Sequence, residues 1–187
     1  MTPGPEVAVR HVLLDRDGVL DREPAEGWLR SAAAWEWERG ALAAVGHLAQ
    51  AGVAVSVVTN QSGVGRGIVD RADAEAVNAW LAAELVRRGV RLVGVYACYH
   101  APSDGCRCRK PAPALVQGAL AAAATAPGEA LLIGDDHRDL EAGTAAGTAV
   151  ALVRTGKGAA VEATARWTCP VFDDVGAAVR SLVPGGR

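Results

Sequence analysis

The amino-acid sequence predicts an α/β fold: a Rossmann-like, doubly wound parallel sheet of about five strands with helices on both faces. The first observation is a series of near-continuous apolar runs, as expected of strands that are buried on both faces. These runs are Val9–Leu14, Val53–Val58, Leu92–Tyr96, Ala130–Ile133 and Ala149–Val153. The second observation is that helical segments separate the runs, an alternation that favours parallel strand pairing.

Two of the helical segments place apolar residues at the spacing of a single helix face. In the first segment, the predicted buried face consists of Leu42, Val45 and Leu48. In the second, it consists of Ala74, Val77, Leu81 and Leu85. The core between these elements must be aliphatic, because only 4% of the residues are aromatic.

Length and charge limit the classes of function that fit the chain. The net charge of −2 does not provide the basic surface of a nucleic-acid-binding domain. No apolar run is long enough to cross a bilayer, and residues 1–8 lack the pattern of a signal peptide. We expect a disordered tail over residues 1–8 and a single domain over residues 9–183 of a cytoplasmic, monomeric protein that binds neither nucleic acid nor membrane.

Polar residues follow each apolar run, and in parallel α/β sheets ligands bind where the strands end. The polar clusters are Asp15–Asp17, Thr59–Asn60, Cys98–Lys110, Asp135–Asp139 and Arg154–Lys157. We therefore expect all five clusters to meet at one edge of the sheet.

The first two clusters carry groups suited to phosphate chemistry. Asp15 and Asp17 can face the same cleft, because Gly18 permits a tight turn after the strand. Thr59 and Asn60 offer a hydroxyl and an amide to a pocket of phosphate size. Each cluster, taken alone, also fits an ordinary capped turn or loop.

A third cluster gathers the carboxyl groups of Asp135, Asp136 and Asp139 within five residues. Such groups repel one another unless a cation lies among them, so the cluster predicts a metal site. An exposed acidic helix start is the simpler interpretation of this cluster when it is considered by itself.

The segment before Lys110 contains the set of side chains that tetrahedral Zn²⁺ prefers. The set consists of Cys98, His100, Cys106 and Cys108. Four protein ligands leave no open position, so this zinc would be structural and would fix the loop that presents Arg109 and Lys110. A disulfide from Cys98 to one of the other two cysteines remains the alternative.

Taken in order, the motifs resemble those of the haloacid dehalogenase superfamily: Asp-x-Asp-Gly, a strand-ending Thr, a Lys, and Gly-Asp-x-x-x-Asp, over residues 13–139. With the zinc loop, the segments Thr59–Gly67 and Leu152–Lys157 resemble one branch of it closely. That branch holds the D-glycero-D-manno-heptose 1,7-bisphosphate 7-phosphatases and the histidinol-phosphate phosphatases. The second segment looks more like the heptose enzymes.

The resemblance implies a magnesium-dependent phosphatase that acts on a small phosphorylated sugar through an aspartyl-phosphate. Asp15 would be the nucleophile, and Asp17 would protonate the leaving oxygen and then activate water. Mg²⁺ would be bound by Asp15, by Asp135 and by the backbone carbonyl of Asp17.

The remaining site residues have supporting roles in this scheme. Thr59, Asn60 and Lys110 would bind the reacting phosphate, and Arg109 a second phosphate or a sugar hydroxyl. Asp139 would orient Lys110, and Asp136 would lie beside the metal ligands without binding the ion.

The resemblance further implies that no cap domain covers the cleft. Compared with close relatives, Asp21 replaces Asn, Trp28 replaces Tyr, and Asp136 replaces Lys. The last exchange puts an anion where a cation is usual, which bears on substrate preference and metal affinity. Trp28, Trp35 and Trp37 either pack their loop against the domain or form a wall for the substrate.

Three alternatives stay open at this point. The substrate of the same chemistry is histidinol phosphate or another small sugar phosphate. In a different class, the chain is a polynucleotide 3′-phosphatase, against which the acidic balance argues. In a third, it is an inactive binding module stabilised by zinc, although its motif residues are intact.

Overall fold

A computed structural model describes residues 9–24 and 27–185 of the chain. The expected tail over residues 1–8 lies outside this part, and the domain limits of 9 and 183 stay a prediction. The strands are β1 (His11–Leu14), β2 (Ala54–Asn60), β3 (Arg91–Cys98), β4 (Ala130–Gly134), β5 (Ala149–Val153) and β6 (Val171–Phe172). The helices are α1 (Ala41–Ala51), α2 (Ser62–Gly65), α3 (Arg71–Arg87), α4 (Ala114–Ala122), α5 (His137–Ala146), α6 (Gly158–Glu162) and α7 (Val175–Leu182).

All strands belong to one parallel sheet with the order β3-β2-β1-β4-β5-β6. The predicted doubly wound α/β architecture is confirmed, with each of the five predicted strands present. The sixth, β6, is an edge strand of two residues that pairs only with β5, which is too short for a periodic apolar signal. Thr59 and Asn60 are the last residues of β2 instead of following it.

The two faces of the sheet bury separate aliphatic clusters, because successive side chains of a strand point to opposite faces. Val12 and Leu14 of β1 pack with residues of α1, α3 and α7. Leu13, between them, packs with residues of α4 and α5 on the other face. Helices therefore cover both sides and leave the strand ends open.

One detail of the predicted helix faces is wrong. The buried face of α1 consists of Ala41, Ala44, Val45 and Leu48. Leu42, which was predicted to be buried, is 45% exposed. The buried alanines Ala41 and Ala44 belong to the same core cluster as residues of β1 and α7, and α1 is in contact with α7. The predicted face of α3 is confirmed, since Ala74, Val77, Leu81 and Leu85 are all buried.

No cap domain is present in the described part of the chain. The described residues between Gly18 and Gly40, 19–24 and 27–39, form a loop that contains the 3-10 helix Ala32–Ala34. The segment between β3 and α4 is the cysteine-containing loop, with the 3-10 helix Pro102–Asp104. No helix within residues 9–24 and 27–185 has the length and apolar character needed to span a membrane.

Candidate active site

The predicted meeting point at the edge of the sheet exists as a cavity of about 220 Å³. Each of the five polar clusters contributes to its lining, through Asp15, Asn60, Lys110, Asp139 and Lys157 among others. The strand ends bring together side chains that are up to 142 positions apart in sequence, counting from Asp15 to Lys157.

Asp15 and Lys110 form a buried ion pair at the floor of the cavity. Lys110 Nζ lies 2.9 Å from Asp15 Oδ1, and their side chains are 2% and 12% exposed. The Arg16 backbone N–H donates to the same Oδ1 at 2.7 Å. Among the described residues, Oδ2 of Asp15 accepts no hydrogen bond. Burial raises the pKa of Asp15, as does the nearby Asp139, while Lys110 lowers it.

Lys110 is held at three points and has little freedom to move. Its ammonium group contacts Asp139 Oδ1 at 2.5 Å and donates to the Val58 carbonyl at 2.7 Å, in addition to the contact with Asp15. Burial alone would lower its pKa, but Asp139 and Asp15 raise the pKa above its ordinary value. Lys110 is therefore a fixed positive charge in contact with Asp139, and the orienting role of Asp139 stays a prediction.

The Asp135 carboxylate lies against Gly18 and Gly156, where there is no room for a side chain. Its Oδ2 accepts the Lys157 backbone N–H at 2.8 Å. A Cβ added to Gly18 or Gly156, which both have positive φ angles of 84° and 55°, would collide with this carboxylate. Burial and the charge of Asp15 raise the pKa of Asp135.

Replacing Gly18 by alanine is expected to lower activity at least about 100-fold, because Asp135 must shift to admit the methyl group. Gly52→Ala is the matched control, since Gly52 has a φ of 66° but nothing lies within 4 Å of the added Cβ. Both variants are expected to lose about 1 kcal/mol or more of unfolding free energy through the backbone. Turnover measurements together with thermal unfolding separate the two effects. Equal activities of the two variants would contradict this account of Gly18.

The carboxylates of Asp15, Asp135 and Asp139 lie within 4.8 Å of one another, which is the donor set of a hard divalent cation. Both oxygens of Asp139 are already bound, Oδ1 to Lys110 and Oδ2 to the Asp136 backbone N–H, whereas Asp15 and Asp135 each keep one oxygen that accepts no hydrogen bond from the described residues, so these two are the carboxylates that a metal would neutralise. The mutual repulsion that raises the pKa of both groups would be relieved by such an ion. The residues therefore fit Mg²⁺, with the Asp139 carboxylate beside the site.

Asp17 is held by neighbours that the sequence analysis did not assign. Arg16 donates to its Oδ1 from Nε and Nη2 at 3.2 and 2.8 Å, and Gln61 donates to its Oδ2 at 2.7 Å. The Thr59 hydroxyl lies 3.3 Å from the same Oδ2. Burial alone would raise the pKa of Asp17, but Arg16 and Gln61 lower it below its ordinary value.

Asn60 connects the end of β2 to the lysine. Its side-chain amide donates to the Lys110 carbonyl and accepts from the Lys110 backbone N–H, both at 3.0 Å. Phosphate binding by Asn60 stays a prediction. Both polar atoms of its side chain already bind the Lys110 backbone, so the structure shows Asn60 positioning Lys110.

The four predicted zinc ligands form one cluster, with all donor atoms within 4.8 Å of one another. Sγ of Cys98 lies 3.3 Å from that of Cys108 and 3.7 Å from that of Cys106, and His100 Nδ1 lies 3.3 Å from Cys108 Sγ. A tetrahedral site with Zn–S bonds of about 2.3 Å places its sulfurs about 3.8 Å apart. The cysteines are free, so the alternative disulfide is absent from the structure.

We expect the purified protein to contain one zinc ion, and Cys106→Ser to lose it and to lower Tm by roughly 10 °C. Cys169→Ser is the control, because Cys169 is a free thiol outside the cluster. Metal analysis and thermal unfolding of both variants provide the measurement. Zinc retained in Cys106→Ser, or lost equally in the control, would contradict the assignment.

The chain that forms this site is similar in sequence to known hydrolases. A family model described as HAD-hydrolase-like matches residues 107–178. The D-glycero-beta-D-manno-heptose-1,7-bisphosphate 7-phosphatase of Pseudomonas putida is 35% identical over 173 residues, covering 92% of this chain and 98% of the relative. The chain belongs to the haloacid dehalogenase-like hydrolases. Its relatives place it in the family of heptose bisphosphate phosphatases.

Solved structures of the same haloacid dehalogenase-like family are similar to this chain in fold and in sequence. The D,D-heptose 1,7-bisphosphate phosphatase of B. bronchiseptica, in complex with magnesium and phosphate, is 33% identical with a TM-score of 0.84. That similarity covers 92% of this chain and 97% of the other. The corresponding protein of Burkholderia thailandensis is 31% identical over the same shares of the two chains, with a TM-score of 0.65.

The mouth of the hydrolase cavity is lined by cations that complement a phosphorylated ligand. Arg66, Arg109 and Arg138 line it together with Lys157, and among these the sequence analysis gave a ligand-binding role only to Arg109. Nη1 of Arg109 is buried and has no hydrogen-bond partner in the described structure. Burial lowers the pKa of Arg109, and the charges of Arg138 and Arg66 lower it further.

The tryptophans of the first loop divide between the two predicted roles. Trp35 and Trp37 pack against each other and against Trp80 of α3, with ring centroids 5.2–6.4 Å apart. Trp28 instead lines the cavity, with the Arg66 guanidinium 5.9 Å from its ring centroid. Trp28 thus forms part of the wall of the binding site.

Proposed function

We propose that the chain is a magnesium-dependent phosphatase that removes the 7-phosphate of D-glycero-β-D-manno-heptose 1,7-bisphosphate. The observation that carries the proposal is the arrangement around Asp15, whose Oδ1 is fixed by Lys110 while Oδ2 accepts no hydrogen bond from the described residues. The names of relatives at 35–36% identity support the substrate. We further propose that the enzyme acts in the cytoplasm as a monomer.

In the first step, Oδ2 of Asp15 attacks the phosphorus in line, and the bond to the sugar oxygen breaks. The product is an aspartyl-phosphate and a sugar alkoxide, which takes a proton from Asp17. The Lys110 ammonium group, fixed by Asp139, stabilises the negative charge of the phosphoryl oxygens, and the buried Thr59 hydroxyl lies 3.3 Å from Asp17 Oδ2.

In the second step, water attacks the aspartyl-phosphate, and Asp17 accepts the proton that the water loses. Arg16 and Gln61 stabilise the carboxylate form of Asp17, which is the form that this step needs. In the first step, Asp17 carries a proton, which requires it to leave the ion pair with Arg16. Arg16 on Oδ1 and Gln61 on Oδ2 therefore define the resting position of the Asp17 carboxylate, which alternates between its protonated and ionised forms during the reaction.

The carboxylates of Asp15 and Asp135 and the carbonyl of Asp17 would hold Mg²⁺. When bound, the ion supplies the positive charge that allows an anionic carboxylate to approach an anionic phosphate. The magnesium and phosphate in the B. bronchiseptica structure support this assignment. Zinc is assigned to the cysteine and histidine cluster, where it would fix the backbone that leads to Arg109 and Lys110.

The proposal is tested by measuring phosphate release from a panel with Mg²⁺ present. The panel contains both anomers of heptose 1,7-bisphosphate, histidinol phosphate, simple sugar phosphates and a 3′-phosphorylated oligonucleotide. The β-anomer of the bisphosphate is expected to give the highest kcat/KM, since the relatives are named for it. Preference for histidinol phosphate would overturn the substrate, and no hydrolysis of any substrate would favour the binding-module alternative.

A further inference from the structure

Asn78 is the one polar residue on the buried face of α3. The face otherwise consists of Ala74, Val77, Leu81 and Leu85, and Asn78 among them is only 6% exposed. Asparagine is a poor helix former, and burial of its amide costs free energy unless the amide is hydrogen-bonded. Asn78 is therefore unfavourable within the helix itself, and a contact outside the helix must offset that cost.

That contact is made with Arg16, which lies between Asp15 and Asp17 in the sequence. The Arg16 side chain is 1% exposed, and its Nη1 donates to Asn78 Oδ1 at 2.9 Å. The other two guanidinium nitrogens, Nε and Nη2, both donate to Asp17 Oδ1. Within residues 9–24 and 27–185, Asn78 is thus the only side chain besides Asp17 that accepts a hydrogen bond from this buried cation.

Asn78 is itself oriented by Tyr99, the residue that directly follows β3. Arginine side chains only donate hydrogen bonds, so Oδ1 of Asn78 must face Arg16, which leaves Nδ2 free to donate elsewhere. Nδ2 donates to the Tyr99 hydroxyl at 3.1 Å. The Tyr99 ring is in turn covered by the Arg71 guanidinium, 4.8 Å from the ring centroid. Tyr99 thus holds Asn78 in the orientation that accepts from Arg16.

The chain of contacts bears on the moment at which Asp17 changes its partner. Protonated Asp17 leaves the ion pair with Arg16, and Asn78 is then the remaining acceptor for the guanidinium. An arginine side chain with no fixed partner has several rotamers open to it. With Nη1 held by Asn78, Arg16 stays in the place to which the Asp17 carboxylate must return before it activates water.

We propose that Asn78 is a positioning residue of the reaction, which holds Arg16 in place while Asp17 moves between the substrate and its resting position. Tyr99 supports this role by holding Asn78. The inference rests on the proposed function, because it takes Asp17 as the group that donates and accepts the proton. Asn78 does not line the cavity, so it acts only through Arg16 and Asp17.

The first test compares Asn78→Leu, which keeps the approximate size of the side chain and removes both hydrogen bonds, with the wild type on the best substrate of the panel. We expect kcat to fall roughly 10- to 100-fold, because Arg16 is no longer held where Asp17 must return, and KM to stay within about twofold. Val77→Ala is the control, because it also weakens the buried face of α3 but breaks no polar contact. Its Tm is expected to fall while its kcat stays within about twofold of the wild type. Equal losses of kcat in the two variants, or no loss in Asn78→Leu, would overturn the proposal.

Asp17→Asn separates a positioning role of Asn78 from a purely structural one. Asparagine at position 17 transfers no proton, so adding Asn78→Leu is expected to lower the residual rate by less than about twofold. A further loss as large as that in the wild type would show that Asn78 does not act through Asp17.

Tyr99→Phe tests the outer end of the chain, because it removes the hydroxyl and keeps the ring beside Arg71. We expect kcat to fall about two- to fivefold in the wild type and no further once Asn78→Leu is present. Additive losses would overturn the role of Tyr99.

Crystal structures of Asp17→Ala, with and without Asn78→Leu, separate this inference from the proposed function, because they require no turnover. Asp17→Ala mimics the departure of Asp17, and Arg16 is expected to keep its position and its hydrogen bond to Asn78 in that variant. In the double variant, the Arg16 guanidinium is expected to be displaced. An Arg16 that moves although Asn78 is present, or that stays in place without it, overturns the positioning role and leaves the phosphatase activity intact. Hydrolysis of no substrate by the wild type overturns the proposed function instead, and the inference with it.

Discussion

Asp15→Asn is expected to lower kcat with Mg²⁺ and the bisphosphate by at least about 10⁴-fold, an increase of about 5 kcal/mol in the barrier. The amide lacks the charge that attacks phosphorus and that pairs with Lys110. Phosphate release under saturating substrate provides the measurement. Because the substitution is isosteric and removes a buried charge, thermal stability is expected to hold or to rise.

Asp173→Asn is a matched control, because it makes the same change of side chain in an exposed pair with Arg154. Its kcat is expected to stay within about twofold of the wild type. Rapid quenching of the working enzyme with borohydride adds a direct assay, since an aspartyl-phosphate is reduced to homoserine. Homoserine at position 15 would identify the nucleophile, and homoserine at another aspartate would contradict the assignment.

Lys110→Met is expected to lower both activity and stability. It leaves the carboxylates of Asp15 and Asp139 buried beside each other without a cation, which costs about 3–5 kcal/mol of unfolding free energy. It also removes the donor that stabilises the phosphoryl oxygens, so kcat is expected to fall about 10³-fold. Denaturant unfolding and phosphate release measure the two effects separately.

The double variant Lys110→Met, Asp139→Asn separates a catalytic role of Lys110 from a structural one. Removing the charge of Asp139 relieves the repulsion with Asp15, so part of the lost stability is expected to return. Activity is expected to stay low, because the ammonium group of Lys110 is still missing from the phosphate site. Recovery of activity along with stability would show that Lys110 only supports the fold.

The sequence was sufficient to predict which strand ends converge, because the buried runs and their order fix the edge of a parallel sheet. Asp15, Asp135 and Lys110 meet there as expected, and Asp139 contacts Lys110. The clustering of Cys98, His100, Cys106 and Cys108 was equally predictable, because these residues are close in sequence, and zinc binding by them stays a prediction.

Partners that depend on side-chain direction were not predictable. Gln61 and Arg16 both donate side-chain hydrogen bonds to Asp17. Both residues lie within the motifs that the sequence analysis identified, but the motifs do not specify these contacts. Asp136 and Arg138 are two residues apart at a helix start, where an aspartate is expected simply as a cap. Their bidentate contact depends on the Arg138 side chain folding back onto the Asp136 carboxylate. The spacing of the two residues in the sequence does not predict that conformation.

The most direct test of the proposed function is a phosphorus NMR time course with β-heptose 1,7-bisphosphate, Mg²⁺ and the wild-type enzyme. The account predicts that the resonance of the 7-phosphate is replaced by that of inorganic phosphate while the anomeric phosphate persists, and that Asp15→Asn leaves both unchanged. Loss of the anomeric phosphate first, or turnover by Asp15→Asn at the wild-type rate, would contradict it.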